Sequence, residues 1–177
     1  LISKEKELDI EICVISDQPY DKLIFIEGSL PSISAIFPHS IAANSYSKSL
    51  ALPGERIGWL AVNPTIDEIE LLMAALTVSN RSLGFVNAPS LFQKTIARCL
   101  DAVVDANIYR RRMEKLHAIL TGFNFECVKP DGAFYLFPKC PIEDDVAFAA
   151  AAAKYNVLLV PGSGFGCPGY FRLAYCV

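Results

Sequence analysis

Charge of one sign, long apolar runs, histidine and paired cysteine motifs are what this sequence has little of. Lysine and arginine number 16 against 19 acidic residues, a net charge of −3. That balance offers no basic surface for nucleic acid or for an anionic membrane. The alanine-rich run Ala147–Ala153 is far too short to cross a bilayer core of about 30 Å. His39 and His117 have no partners at ligand spacing, so no metal centre is expected. The six cysteines (Cys13, Cys99, Cys127, Cys140, Cys167 and Cys176) contain no C-x-x-C pair and read as reduced, mostly buried thiols of a cytoplasmic protein. No secretory signal is recognisable, and Leu1 opens on what reads as a helix tail, as though the chain began inside a longer protein.

What is present is concentrated in Asn44–Gly58. One lysine, Lys48, stands among small hydroxyl residues, and an arginine, Arg56, follows a Pro53-Gly54 turn. Ser45, Ser47 and Arg56 are the donors a phosphate needs, two hydroxyls and a guanidinium able to bind two oxygens. An amine held beside a phosphate site can condense with a carbonyl as a Schiff base. Gly54 and Gly58 are expected to let the backbone turn tightly and approach a ligand closely. Taken alone, the stretch reads more readily as a polar loop with a solvated lysine.

The upstream residues turn that reading. Ile12–Ser16 is a short apolar run with strand character, and it delivers Asp17 and then Tyr20. In parallel sheets, ligands bind beyond the carboxyl ends of the strands. A carboxylate and a phenol are the partners expected for a pyridinium nitrogen and a ring hydroxyl, and a lysine Schiff base with an acidic partner for the ring nitrogen marks pyridoxal phosphate sites.

Elements follow from periodicity. Apolar runs at Leu23–Ile26, closed by Glu27-Gly28-Ser29, at Ile41–Ser45 and at Ile57–Val62 suggest strands buried on both faces and hence an α/β domain. Thr65-Ile66-Asp67-Glu68 reads as a capping box for a helix with Ile66, Ile69, Leu72, Met73 and Leu76 in the core. Pro89 is expected in the first turn of a helix running through Phe92, Ile96, Leu100 and Val103. A third helix carries Ile108, Leu116, Ile119 and Leu120 and stops at Gly122. Arg110, Arg111 and Arg112 on it point in different directions and form no patch. Pro130-Asp131-Gly132 predicts a hairpin turn between Phe125–Lys129 and Ala133–Phe137. An alanine-rich helix over 143–155, an apolar run Val157–Val160, a glycine-rich loop and the run Tyr170–Tyr175 complete a small α+β unit. The boundary is placed near Val104, giving domains at 1–103 and 104–177. Gly164-x-Gly166-x-x-Gly169 matches a dinucleotide fingerprint, but a strand-like run rather than a helix follows it, so that reading fails.

Asp17-x-x-Tyr20 followed by Ser45-x-Ser47-Lys48-x7-Arg56-x-Gly58 resembles the signature of the pyridoxal-phosphate aminotransferases of classes I and II, which share the aspartate aminotransferase fold. Pro161-Gly162-Ser163-x-Phe165-Gly166 and Gly169-Tyr170-Phe171-Arg172-Leu173 are similar to that family's C-terminal segment. The resemblance covers the chain to Val177. It implies a partial large domain, mostly parallel sheet with helices, over 1–103, and a small C-terminal domain lacking a last helix over 104–177.

The resemblance also implies roles. Lys48 would carry pyridoxal 5'-phosphate and move protons during amino-group transfer from an amino acid to a 2-oxo acid. Asp17 would pair the ring nitrogen, Tyr20 the ring oxygen, Ser45, Ser47 and Arg56 the phosphate, and Arg172 the substrate's α-carboxylate. A homodimer is expected. Arg81 could read a side-chain carboxylate, though Leu83–Pro89 departs from the form of enzymes that do so, which leaves the substrate open. The family's ring-stacking aromatic, first phosphate loop and ring-hydroxyl asparagine have no counterpart here. The sequence therefore reads as about the second half of an aminotransferase, expected to be inactive by itself. A lyase on the same fold and a non-catalytic aminotransferase-like ligand sensor are the alternative readings.

Overall fold

A computed structural model describes residues 1–28 and 30–176. Ser29, the end of the expected turn after Ile26, and Val177 lie outside the described residues. The chain forms two compact units, one of Leu1–Lys22 with Gly28–Val104, the other of Leu23–Glu27 with Asp105–Val177. Among the described residues no helix is long and apolar enough to cross a membrane.

In the first unit α1 (Ile2–Leu8) ends at Asp9, whose left-handed φ of 51° stops the helix. Then come β1 (Val14–Asp17), α2 (Ile33–Ile36), β2 (Ser40–Ser45), α3 (Tyr46–Ser49), a 3-10 turn at Pro53–Glu55, β3 (Gly58–Val62), α4 (Ile69–Ser82) and α5 (Ser90–Ile96). The sheet order is β1-β2-β3. β1 runs parallel to β2, with Asp17 opposite Ala43. β3 runs antiparallel to β2, with Gly58 opposite Ser45. The α/β architecture expected from the sequence is present, with one parallel and one antiparallel pairing among these strands.

Burial on both faces is confined to the central strand. Ser40, Ile41 and Ala42 of β2 are buried, whereas Ile15 of β1 is 70% exposed and Leu60 of β3 is 55% exposed. The apolar runs therefore mark strands correctly but overstate their burial, because β1 and β3 are edges. Asn63 fixes the end of β3: its backbone amide donates to Ser40 O and its side chain to Ser34 O within α2. Gly58 is needed for close approach, since a Cβ there would lie 2.5 Å from Asn44 O, whereas Gly54 faces open space.

Three local expectations are corrected. The capping box at Thr65–Glu68 does not form, because the Thr65 amide and hydroxyl both donate to Asn63 Oδ1. The helix begins only at Ile69, after Glu68 in a left-handed conformation. Ile66, Ile69, Leu72 and Leu76 are half-buried and Met73 is exposed, so this is no core stripe. Pro89 precedes α5 instead of lying in its first turn. The helix ends at Ile96, where Arg98 and Cys99 bond back three residues to Thr95 and Ile96, tightening into turns. Leu100 and Val103 are consequently exposed.

The second unit holds α6 (Ala106–Gly122), β4 (Tyr135–Leu136), α7 (Asp145–Ala153), β5 (Val160–Pro161), a 3-10 turn at Gly162–Phe165 and β6 (Phe171–Ala174). Its sheet order is β4-β6-β5, antiparallel throughout. Asp105 caps α6 by accepting from the Asn107 amide, and Asp144 caps α7 by accepting from Ala147. Met113, Phe134, Leu136, Phe171 and Tyr175 form the core with Leu23. Burial pushes the Tyr175 phenol up to about 12.

The hairpin across Pro130–Gly132 is absent. β4 pairs with β6, and Asp131–Ala133 is engaged instead by the Leu23–Phe25 segment. Ala133 N donates to Leu23 O and Phe25 N to Asp131 O, and Ile24 bridges Gly132. A Cβ on Gly132 would sit 2.5 Å from Leu23 O, so glycine serves this contact rather than a turn. The run Leu23–Ile26, expected in the first sheet, belongs to this second unit for the same reason. Cys140 is buried, Cys13 and Cys176 are exposed and the other three cysteines lie between, which corrects the expectation of mostly buried thiols.

Candidate active site

β1 and β2 are parallel, so their carboxyl ends emerge together. Asp17 ends β1 and is exposed, and the ladder continues one step further through Gln18 N to Ala43 O at 2.8 Å. Ser45 ends β2, and α3 then reverses the chain in a single turn that carries Ser47 and Lys48. That turn is pinned on both sides. Tyr46 N donates to Ile57 O, Leu50 N and Leu52 N return to Tyr46 O, and Val104 N reaches Ser49 O at 2.9 Å. Lys48 is half-buried with its Nζ 5.9 Å from the centroid of the Tyr20 ring.

Ser45, Ser47 and Arg56 line one cleft of about 540 Å³ with Asn80 and Asn87. Arg56 takes a left-handed φ of 51°, a costly conformation for a non-glycine residue, and its Nη1 donates to Pro53 O at 2.7 Å. A neighbouring cleft of about 670 Å³ is lined by Asp17, Ser45, Trp59, Asn80, Arg81 and Asn87, among others. The predicted residues thus fall into three associations: Ser45, Ser47 and Arg56 on one wall, Asp17 with Ser45 on the next, and Lys48 with Tyr20. Neither Lys48 nor Tyr20 lines these two clefts. Two hydroxyls and a guanidinium converging on one cleft, with a carboxylate at the end of a parallel strand, fit the anionic and cationic ends of pyridoxal phosphate.

Asn80 and Asn87, common to both clefts, escaped the sequence reading. Asn80 sits near the end of α4 and its Nδ2 donates to Val86 O, tying down the loop that brings Asn87 round. Nothing in the spacing separates it from an ordinary polar residue at a helix end.

In the second unit Arg172 is half-buried on β6, opposite Val160. The glycine-rich loop before it makes a 3-10 turn and then passes to β6, with no dinucleotide-type helix. Gly162 cannot be replaced by any larger residue without collision, because its Cβ would strike the carbonyls of Cys167 and Tyr170.

Comparison with known proteins identifies the family. Residues 9–177 match the family model of aminotransferase class I and II, and the chain belongs to that family. It is 31% identical to the aspartate aminotransferase of Bacillus subtilis over 95% of its own length and 46% of that protein. A solved aminotransferase structure from Eubacterium rectale is 42% identical, with a TM-score of 0.93 over 100% of this chain and 44% of that one. The aspartate aminotransferase of Thermotoga maritima superposes with a TM-score of 0.80 at 27% identity, over 99% of this chain and 46% of the other. The chain therefore spans a little under half the length of these relatives.

Proposed function

We propose that this chain supplies the lysine, phosphate-cradle and carboxylate-binding residues of a pyridoxal-phosphate aminotransferase that moves an amino group from an amino acid to a 2-oxo acid. The single observation that carries the reading is the convergence of Ser45, Ser47 and Arg56 on one cleft beside the short turn that bears Lys48. Family membership supports it. When bound, the cofactor supplies an electron sink for charge developing at the substrate's α-carbon.

The residues divide the remaining work. Lys48 would hold the cofactor through its Nζ, and the same amine would carry the proton that leaves the substrate's α-carbon. Asp17 would hold the cofactor at its ring nitrogen, and Tyr20 at its ring oxygen. Ser45, Ser47 and Arg56 hold the phosphate. Arg172 takes the substrate's α-carboxylate with its two-pronged guanidinium. In this reading 1–103 belongs to the cofactor-binding domain and 104–177 to the small domain, and the working enzyme is a homodimer.

The phosphate assignment is testable apart from turnover. In the intact protein Arg56→Met is expected to weaken pyridoxal phosphate binding by about 1.5–3 kcal/mol, the scale for charged hydrogen bonds. Binding of pyridoxal, which has no phosphate, should change by less than about twofold. Fluorescence titration of both ligands measures this. Equal weakening of the two would remove Arg56 from the phosphate site.

A further inference from the structure

Arg172 and Ala174 lie on one face of β6, and Tyr135 of β4 stands opposite Ala174. Tyr135 is therefore the diagonal neighbour of Arg172 across the ladder. Its ring centroid is 4.6 Å from the guanidinium carbon, and the Phe165 ring, from the preceding 3-10 turn, is also 4.6 Å away. Rings over a guanidinium attract it through its face and leave the N–H edges available. Phe165 is itself wedged: it meets Phe137 edge-on at 6.2 Å, and Phe137 stacks on Tyr170 at 5.6 Å.

The turn that carries Phe165 is anchored from α7. Asp145, the first residue of that helix, is 4% exposed, and its Oδ2 accepts from the Ser163 amide at 2.6 Å. Its carboxyl is held below the ordinary aspartate value, chiefly by that amide, against the opposing effect of burial. The Ser163 side chain and the Gly169 amide add to the lowering. Ser163 and Gly169 lie near the two ends of the glycine-rich loop. An acid that only balanced a helix dipole could stay in water; this one is withdrawn from it and bonded to the loop.

We propose that Asp145 is a positioning residue for carboxylate recognition: it pins the Gly162–Gly169 loop so that Phe165, together with Tyr135, orients the Arg172 fork toward the substrate. The inference rests on the reading of Arg172 given above, and goes beyond it by naming the residues that set its geometry.

The test compares wild type, Asp145→Asn, Asp145→Glu, Phe165→Leu and Arg172→Leu in the intact, cofactor-saturated protein. The probes are L-aspartate, 3-aminopropanoate (aspartate without its α-carboxylate) and succinate as an unreactive ligand. Asp145→Asn and Phe165→Leu are expected to raise the KM for aspartate and the Kd for succinate about 5- to 20-fold, with kcat changed less than about threefold. Turnover of 3-aminopropanoate should be unaffected, and Asp145→Glu should recover part of the affinity. Arg172→Leu should shift the same quantities further.

If Arg172→Leu lowers the aspartate preference while Phe165→Leu and Asp145→Asn leave KM and Kd at wild-type values, the positioning role is overturned and the Arg172 reading survives. If Arg172→Leu leaves the preference for aspartate over 3-aminopropanoate unchanged, the Arg172 reading itself falls. Should Asp145→Asn fail to fold, Phe165→Leu decides, since its side chain is half exposed and its loss leaves the Ser163 anchor in place.

Discussion

Lys48→Ala should lower kcat of the intact enzyme by about 10⁴-fold, the upper end of what one positioned acid–base group contributes, because in the proposed role the same amine would also make the covalent attachment. The fold should survive. The turn that bears Lys48 is held by backbone bonds from Tyr46, Leu50, Leu52 and Val104, none of which needs the lysine side chain. Far-ultraviolet circular dichroism and the thermal midpoint should match wild type. Steady-state transamination with saturating cofactor checks the rate, and a kcat within tenfold of wild type would show that the proton carrier is another group.

The largest stability loss is expected at Phe171→Ala. Phe171 is 2% exposed and occupies the central strand of the second sheet. Its ring packs against Phe125 at 6.0 Å, nearly perpendicular, and against Phe148 at 5.1 Å, while its amide donates to Pro138 O. Truncation removes the ring from two other segments of chain at once and leaves a cavity that the single short strand on either side cannot close. The expected cost is about 3–5 kcal/mol, the usual range for a buried aromatic. Against a typical total of about 5–15 kcal/mol, that is a large fraction. Urea unfolding followed by tyrosine fluorescence measures it, and a loss under about 1 kcal/mol would contradict this account of the core.

What was legible in the sequence is what depends on local order. Asp17, Ser45, Ser47, Lys48 and Arg56 could be placed because strand ends and a short reversal deliver them within a few residues of recognisable apolar runs. α6 was readable from its periodicity and its Gly122 stop. The misreadings arise where a distant segment competes for a local group. Thr65 looked like a cap until Asn63, fixed by its bonds to α2, took both of its donors. Pro130–Gly132 looked like a hairpin turn because the partner that claims it, Leu23–Phe25, lies more than a hundred residues earlier in the sequence, although both belong to the second unit. Asp145 was not singled out within the alanine-rich helix. Its burial and its grip on Ser163 depend on a loop that no local pattern connects to it.

The central claim is that Lys48 is the residue to which the cofactor attaches. Incubating the intact protein with pyridoxal phosphate, reducing with borohydride and mapping the peptides by mass spectrometry tests it most directly. The account predicts a stoichiometric pyridoxyl group on the peptide that contains Lys48 and none in Lys48→Ala. A label on Lys22 or Lys94 instead, or one that persists undiminished in Lys48→Ala, would contradict it.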